Sequence, residues 1–293
     1  MLKKVKYLCL LGLLAILAGC SSGGNDSWIM GGTIQGDSLS LVGDTANFKT
    51  ALTDPHGITT DGINLYWVDN DLGTVNKAVI ATGVVSQVAD GFVDLYGIVT
   101  DGNGNLYVTD NGDGTVNKII IATGAKSTVA GGFEYPYGLT MDGANLYVTD
   151  WGISDNGTVS KVVISTGDVS EVADSIYRPK GITTDGNGNL YITSDDSGNG
   201  TISKIVVATG VVSEVTATRF GKPKGITTDG VGALYVADND NNKVSKIVIA
   251  SGVVTDISTL LNMPFALTSD GKSLFVTNEN EGSMEGAYIS KID

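Results

Sequence analysis

The chain has 293 residues, with 40 glycines, 5 prolines, 2 cysteines, a single histidine and a formal charge of −14. So acidic a body repels nucleic acid and anionic lipid headgroups, which excludes both as partners of its surface. With one histidine, a zinc site built from several histidines is excluded as well.

The first residues, MLKKVKYLCLLGLLAILAGCSS, place Lys3, Lys4 and Lys6 before an apolar run from Tyr7 to Ala18. That is a signal-peptide layout, too short and wrongly flanked for a membrane span. It ends in Leu17-Ala18-Gly19-Cys20, which resembles the bacterial lipobox. The resemblance implies cleavage before Cys20, a lipid on its sulfur and, with Ser21 next, an outer-membrane address in a Gram-negative-type envelope. Residues 1–19 then read as signal peptide and 20–32 as a lipidated flexible tether, with SSGGNDS at Ser21–Ser27. Cys9 leaves with the signal and Cys20 is consumed by lipid, so the mature chain has no thiol for a disulfide or a metal. Loss of three lysines from 18 basic residues leaves 15 against 32 acids, a charge near −17. The lipid, not the surface, is the expected membrane contact.

Residues 33–293 read as one domain, and from about residue 54 to its end the chain is repetitive. HGITTDG starts at His56, YGIVTDG at Tyr96, YGLTMDG at Tyr137, KGITTDG at Lys180 and Lys224, and FALTSDG at Phe265. The starts lie 40, 41, 43, 44 and 41 residues apart, giving six units. One unit reads as four strands: Ile182–Asp185, Asn189–Thr193, Thr201–Val207 and Val211–Thr216. Asp-Gly separates strands one and two in every unit, because glycine supplies the positive φ of a tight hairpin. All five prolines stand just before strand one, a sheet position that tolerates the missing N–H. Four-stranded units of this length, repeated six times, predict an all-β, six-bladed β-propeller. The sixth unit stops after its third strand, so Thr33–Gly43 is the expected fourth strand, closing the ring and covering an open edge.

The pattern P-x-G-I-x-x-D-G-x-G-N-L-Y-V-T-D…G-T-V-x-K-I resembles NHL repeats and the streptogramin-lyase type of propeller, and Leu65-Tyr66-Trp67-Val68-Asp69 echoes the YWTD propellers. The resemblance implies fold more than function, since such propellers host binding modules, lyases and lactonases alike. Streptogramin lyases use histidine with a magnesium-bound substrate, and only His56 could serve here, without a second histidine. Gluconolactonase-like propellers hold calcium with a glutamate at the start of strand one in the first blade; Asp54 is the nearest acid here, without the surrounding motif. No catalytic residue and no metal ligand is assigned. No cofactor is required; calcium finds hard-oxygen ligands in the Asp/Asn-rich loops after strand two, such as Asp110–Asp113 and Asp238–Asn242, although the same residues form turns. The recurring Lys77, Lys118, Lys161, Lys204, Lys246 and Lys291 read as scaffold.

The unit varies at one slot, the residue before the first glycine, or before Ala266 in the sixth unit. It gives His56, Tyr96, Tyr137, Lys180, Lys224 and Phe265 around the expected channel mouth. The chain's two arginines, Arg178 and Arg219, fall in the entry connectors of units four and five, beside Lys180, Lys222 and Lys224. These residues predict a cationic patch with aromatics for stacking. The expected function is a lipid-anchored binding or scaffolding module for an anionic small ligand, a glycan or an envelope protein. The alternative is a metal-dependent lyase or lactonase-type enzyme.

Overall fold

A computed structural model describes residues 52–196, 198–259, 261–279 and 287–293. They form six antiparallel sheets, each with its strands in chain order: five of four strands and a sixth of three. This is the six-bladed propeller. The proposed closing segment Thr33–Gly43 lies outside the described residues.

The core is divided into six apolar clusters, one between each pair of neighbouring blades. Blades one and two share Tyr66, Val68, Leu95, Ile98 and Leu106. Blades six and one share Phe275, Ile289, Ile58, Leu65 and the fully buried Trp67. The ring therefore closes by the same packing that joins every other junction.

The first strands begin earlier than the sequence pattern suggests. In blade four the strand is Pro179–Thr184, not Ile182–Asp185. The reason is a break in pairing: Pro179 opposes Ser194 and Ile182 opposes Ile192, leaving Lys180 and Gly181 on a bulge. The same irregularity separates Pro55 from Ile58, Leu95 from Ile98, Pro223 from Ile226 and Pro264 from Leu267. A bulge re-aims the side chain it carries, and here it carries the variable slot.

The repeated letters have separable tasks. In the Asp-Gly turn, Asp61 Oδ1 accepts the N–H groups of Ile63 and Asn64 at 2.9 and 2.7 Å, and Gly62 adopts φ 84°. The threonine of strand two ties blade to blade. Thr149 Oγ1 accepts the Gly138 N–H at 2.7 Å and donates to the Lys180 carbonyl of the next blade at 2.6 Å. Thr109 and Thr193 do the same at their junctions, and Thr277 donates to the His56 carbonyl at 2.7 Å, joining blade six to blade one. The lysine row pairs across the sheet with the aromatic of strand two, as Lys77 does with Tyr66.

Candidate functional site in the propeller mouth

The six slot residues converge at one end of the channel and close it. The His56 and Phe265 rings stack at 4.0 Å, His56 and Tyr96 at 4.8 Å, and Tyr96 and Tyr137 at 4.3 Å. Lys180 Nζ lies 4.2 Å from the Tyr137 ring centre and Lys224 Nζ 4.1 Å from that of Phe265. Apart from the half-buried Tyr96, the ring is buried. These aromatic faces cover one another, so they form a floor and are not free to stack on a ligand as the sequence suggested. Narrow space, lined by the glycines and Ile58, Ile98, Ile182 and Ile226, continues behind them.

Above the floor is a cavity of about 640 Å³. Two further columns of the repeat reach it. One lies two residues before the slot: Asp54, Asp94, Tyr135, Arg178, Lys222 and Met263. The other lies just past strand two: Asn70, Asn111, Trp151, Asp195, Asn239 and Glu279. Asp54, Arg178, Lys222, Asn70, Trp151, Asp195 and Glu279 line the cavity. Sequence reasoning weighed those loops only as metal ligands and so missed Trp151, Asp195, Asn239 and Glu279 as mouth residues. Reading the column after Y-V-T-D as a second variable slot would have found them.

The cations of the mouth, Arg178, Lys180, Lys222 and Lys224, all come from blades four and five, but acids line it from several blades: Asp195 and Asp240 on those same two, Asp54 with Asp94 nearby on blades one and two, and Glu279 on blade six. The expected patch is thus the more cationic part of a mixed-charge cavity whose acidic pole holds Asp54 and Glu279. Arg219 is not part of it: this exposed side chain pairs with Glu214 at 3.1 Å on the outer strand of blade four and does not line the cavity. Its position in the connector placed it near the mouth in sequence, but the connector starts at the outer strand and Arg219 stays there beside Glu214, before the chain reaches the mouth at Lys222. Arg178 is held by both oxygens of Asp155, with Nη2 to Oδ2 at 3.0 Å, and lies 5.6 Å from the Trp151 ring centre. Lys224 Nζ contacts both oxygens of Glu279, at 2.8 and 3.0 Å. Burial pushes the Lys224 amine below its usual range, and Glu279 opposes that shift.

The acidic pole centres on His56. Its Nδ1 is 3.1 Å from the Leu95 carbonyl, which fixes a proton on that nitrogen. Nε2 then faces Asp54 Oδ2 at 3.3 Å and Glu279 Oε1 at 3.7 Å. Two carboxylates thus crowd the remaining ring nitrogen. The His56 contact holds the Asp54 carboxyl below the usual carboxylate range despite burial. Asn239 Nδ2 donates to Glu279 at 3.1 Å. Asp54, His56 and Glu279 offer ligand atoms within 4.8 Å of one another.

Four of the loop acids weighed for calcium have a structural task. Asp69, Asp110, Asp150 and Asp238 end strand two and accept backbone N–H groups of the entry connectors. Asp150 takes Glu134 and Tyr135, both at 2.8 Å, and Asp238 takes Gly221 and Lys222 at 3.2 and 3.0 Å. They staple the two loops that form the mouth.

No protein-family model matches the sequence, and no curated protein matches it closely enough to count as a relative. Solved structures do match. A gluconolactonase from Xanthomonas campestris superimposes with a TM-score of 0.70 at 16% identity, over 87% of this chain and 89% of that one. Regucalcin, a calcium-binding protein from Agrobacterium tumefaciens, gives 0.69 at 14% identity, over 84% and 92%. Virginiamycin B lyase from Staphylococcus aureus gives 0.58 at 19%, over 78% and 79%. At these identities the likeness establishes the fold, a six-bladed β-propeller, and the chemistry must be argued from the mouth.

Proposed function

We propose that the chain is a lipid-anchored envelope module that binds a small anionic molecule, a sugar acid or related carboxylate, in the propeller mouth. The observation that carries this reading is the mixed charge of the cavity: its amines, Lys180 and Lys222 among them, come from blades four and five together with Asp195 and Asp240, and the carboxylates of Asp54 and Glu279 come from blades one and six. A carboxylate would face the amines, and hydroxyl or amino donors would face the acids. The volume suits a sugar-sized ligand. The lipid expected on Cys20 would tether the module to the envelope. Calorimetric titration of the purified chain with gluconate and galacturonate tests the site. Saturable binding is expected, weakened about tenfold or more by Lys222→Ser and unchanged by Arg219→Ser, whose side chain lies outside the cavity. Absence of binding by either acid, or equal loss in both variants, refutes the assignment.

The cluster of Asp54, His56 and Glu279 favours a second reading, a divalent-metal enzyme of the lyase or lactonase type. Two of the solved structures above are described as calcium-binding and as a gluconolactonase, respectively. The donor set suits a hard cation, and the Oδ1 of nearby Asn70 is buried without a partner. Against it, the Lys224 ammonium already engages both Glu279 oxygens, so a metal must displace it. A bound metal would raise the melting temperature in millimolar calcium or magnesium and lose that gain in EDTA, through binding linkage. An unchanged melt leaves the cluster to Lys224.

A further inference from the structure

Lys180 combines three features rarely found on a lysine that only carries charge. It is 5% exposed, and its backbone is fixed by the bulge and by the Thr149 hydroxyl on its carbonyl. Its Nζ lies 3.5 Å from the centre of the Trp151 indole and 4.2 Å from that of Tyr137. Among the described residues, no carboxylate forms an ion pair with it. Yet the head group opens onto the cavity.

The charges that face it are Arg178 from its own connector, Lys222 and Lys224 from blade five, Asp195 from the end of strand two and, farther off and paired with Arg178, Asp155; Tyr137 packs below. Burial is the largest influence and, with the three cations, outweighs Asp195, so the amine is pushed down to about 7. Attraction to the two rings opposes this shift, by about 2 kcal/mol or more at a desolvated site. A desolvated amine beside other cations is the usual arrangement of a lysine nucleophile.

We propose that Lys180 is a carbonyl-capturing amine that forms an imine with a small aldehyde acid or 2-oxo acid whose carboxylate rests against Lys222. This deepens the binding reading above and rests on it for the carboxylate half of the ligand. The neutral Nζ lone pair attacks the carbonyl carbon, and the oxygen takes up a proton to give a carbinolamine. Loss of that oxygen as water leaves a C=N bond, protonated on nitrogen. Nothing is oxidised or reduced in capture.

Glyoxylate with cyanoborohydride tests this on the full-length chain in detergent, at neutral pH. Hydride from the borohydride reduces the iminium carbon and leaves a stable carboxymethyl group on the amine, located by peptide mapping. Labelling of Lys180 is expected roughly 100-fold faster than that of exposed Lys272, because burial leaves more of the Lys180 amine unprotonated at pH 7 than is usual for a lysine. The Lys180 rate should level off above pH 8. Labelling that follows exposure, or that spares Lys180, overturns the proposal. Glycolate, which has the carboxylate but no carbonyl, separates the two ideas. Glycolate binding without capture overturns imine formation and leaves the anion site standing; loss of both overturns both. Capture at Lys180 without glycolate binding supports the amine and removes Lys222 as the partner of the carboxylate.

Discussion

Gly138→Ala should destabilise the protein by about 3 kcal/mol, or lower the melting temperature by roughly 8 °C, although it adds one methyl group. A Cβ at this position would sit well inside contact distance of the Lys180 carbonyl of the next blade and 2.9 Å from Thr149 Oγ1. Those two atoms form the hydrogen bond that joins blades three and four, so relief of the clash must stretch it. Gly57 and Gly181 face the carbonyls of Tyr96 and Lys224 in the same way. At Gly225 the neighbouring carbonyl, that of Phe265, is farther, at 2.9 Å, but the Ala266 Cα is 2.6 Å away. Blade six has Ala266 in this place, so the ring admits the methyl group at one of its six junctions. The turn glycine Gly143 is the contrast. It adopts φ 59° with open space around it, so Asn, which tolerates that backbone, should cost little there. Chemical denaturation of Gly138→Ala and Gly143→Asn decides the matter. Equal, small losses in both would show that the blades can separate freely, and that the glycine of P-x-G is not set by close approach.

That contrast shows what the sequence made legible. Asp-Gly pairs and a repeat of about 40 residues are local or periodic signals, so blade number and turn positions could be read directly. The slot residues could also be located, because a repeat exposes its own variable letter. Two things were not legible. The bulge after each Pro179-type position is a pairing irregularity between strands, and nothing in PKGITT marks it. Partners across the ring were also hidden. Lys224 and Glu279 are 55 residues apart, and Thr277 reaches the His56 carbonyl across 221. A count of basic residues in adjacent connectors therefore suggested an open cationic patch. In the fold, Arg178 and Lys224 already hold carboxylates, and Arg219 points elsewhere. What remains for a ligand is the unpaired Lys180, with Lys222 beside it.

Lys180→Met should flatten the rise of stability with pH above neutrality. The sign follows from burial. The amine falls from an unfolded value near 10.5 to about 7 in the folded chain. Between these values the unfolded chain binds more protons than the native one, so unfolding becomes harder as pH increases. Below pH 7 both states are protonated, and the full cost of burying the ammonium is present. The slope from this residue is at most about 1.4 kcal/mol per pH unit. Because Lys224 is also buried and lowered, the wild type keeps a second contribution, which the comparison with the variant largely cancels. Urea unfolding at pH 7 and pH 9 should therefore show the variant's relative stability falling by about 2 kcal/mol over that interval. Methionine fills nearly the same space against Trp151 and Tyr137, so the packing is retained. Parallel pH profiles for the two proteins would mean that the rings and Asp195 hold Lys180 as an ammonium throughout. The amine would then be an anchor for an anion, and imine chemistry at this position would lose its physical basis.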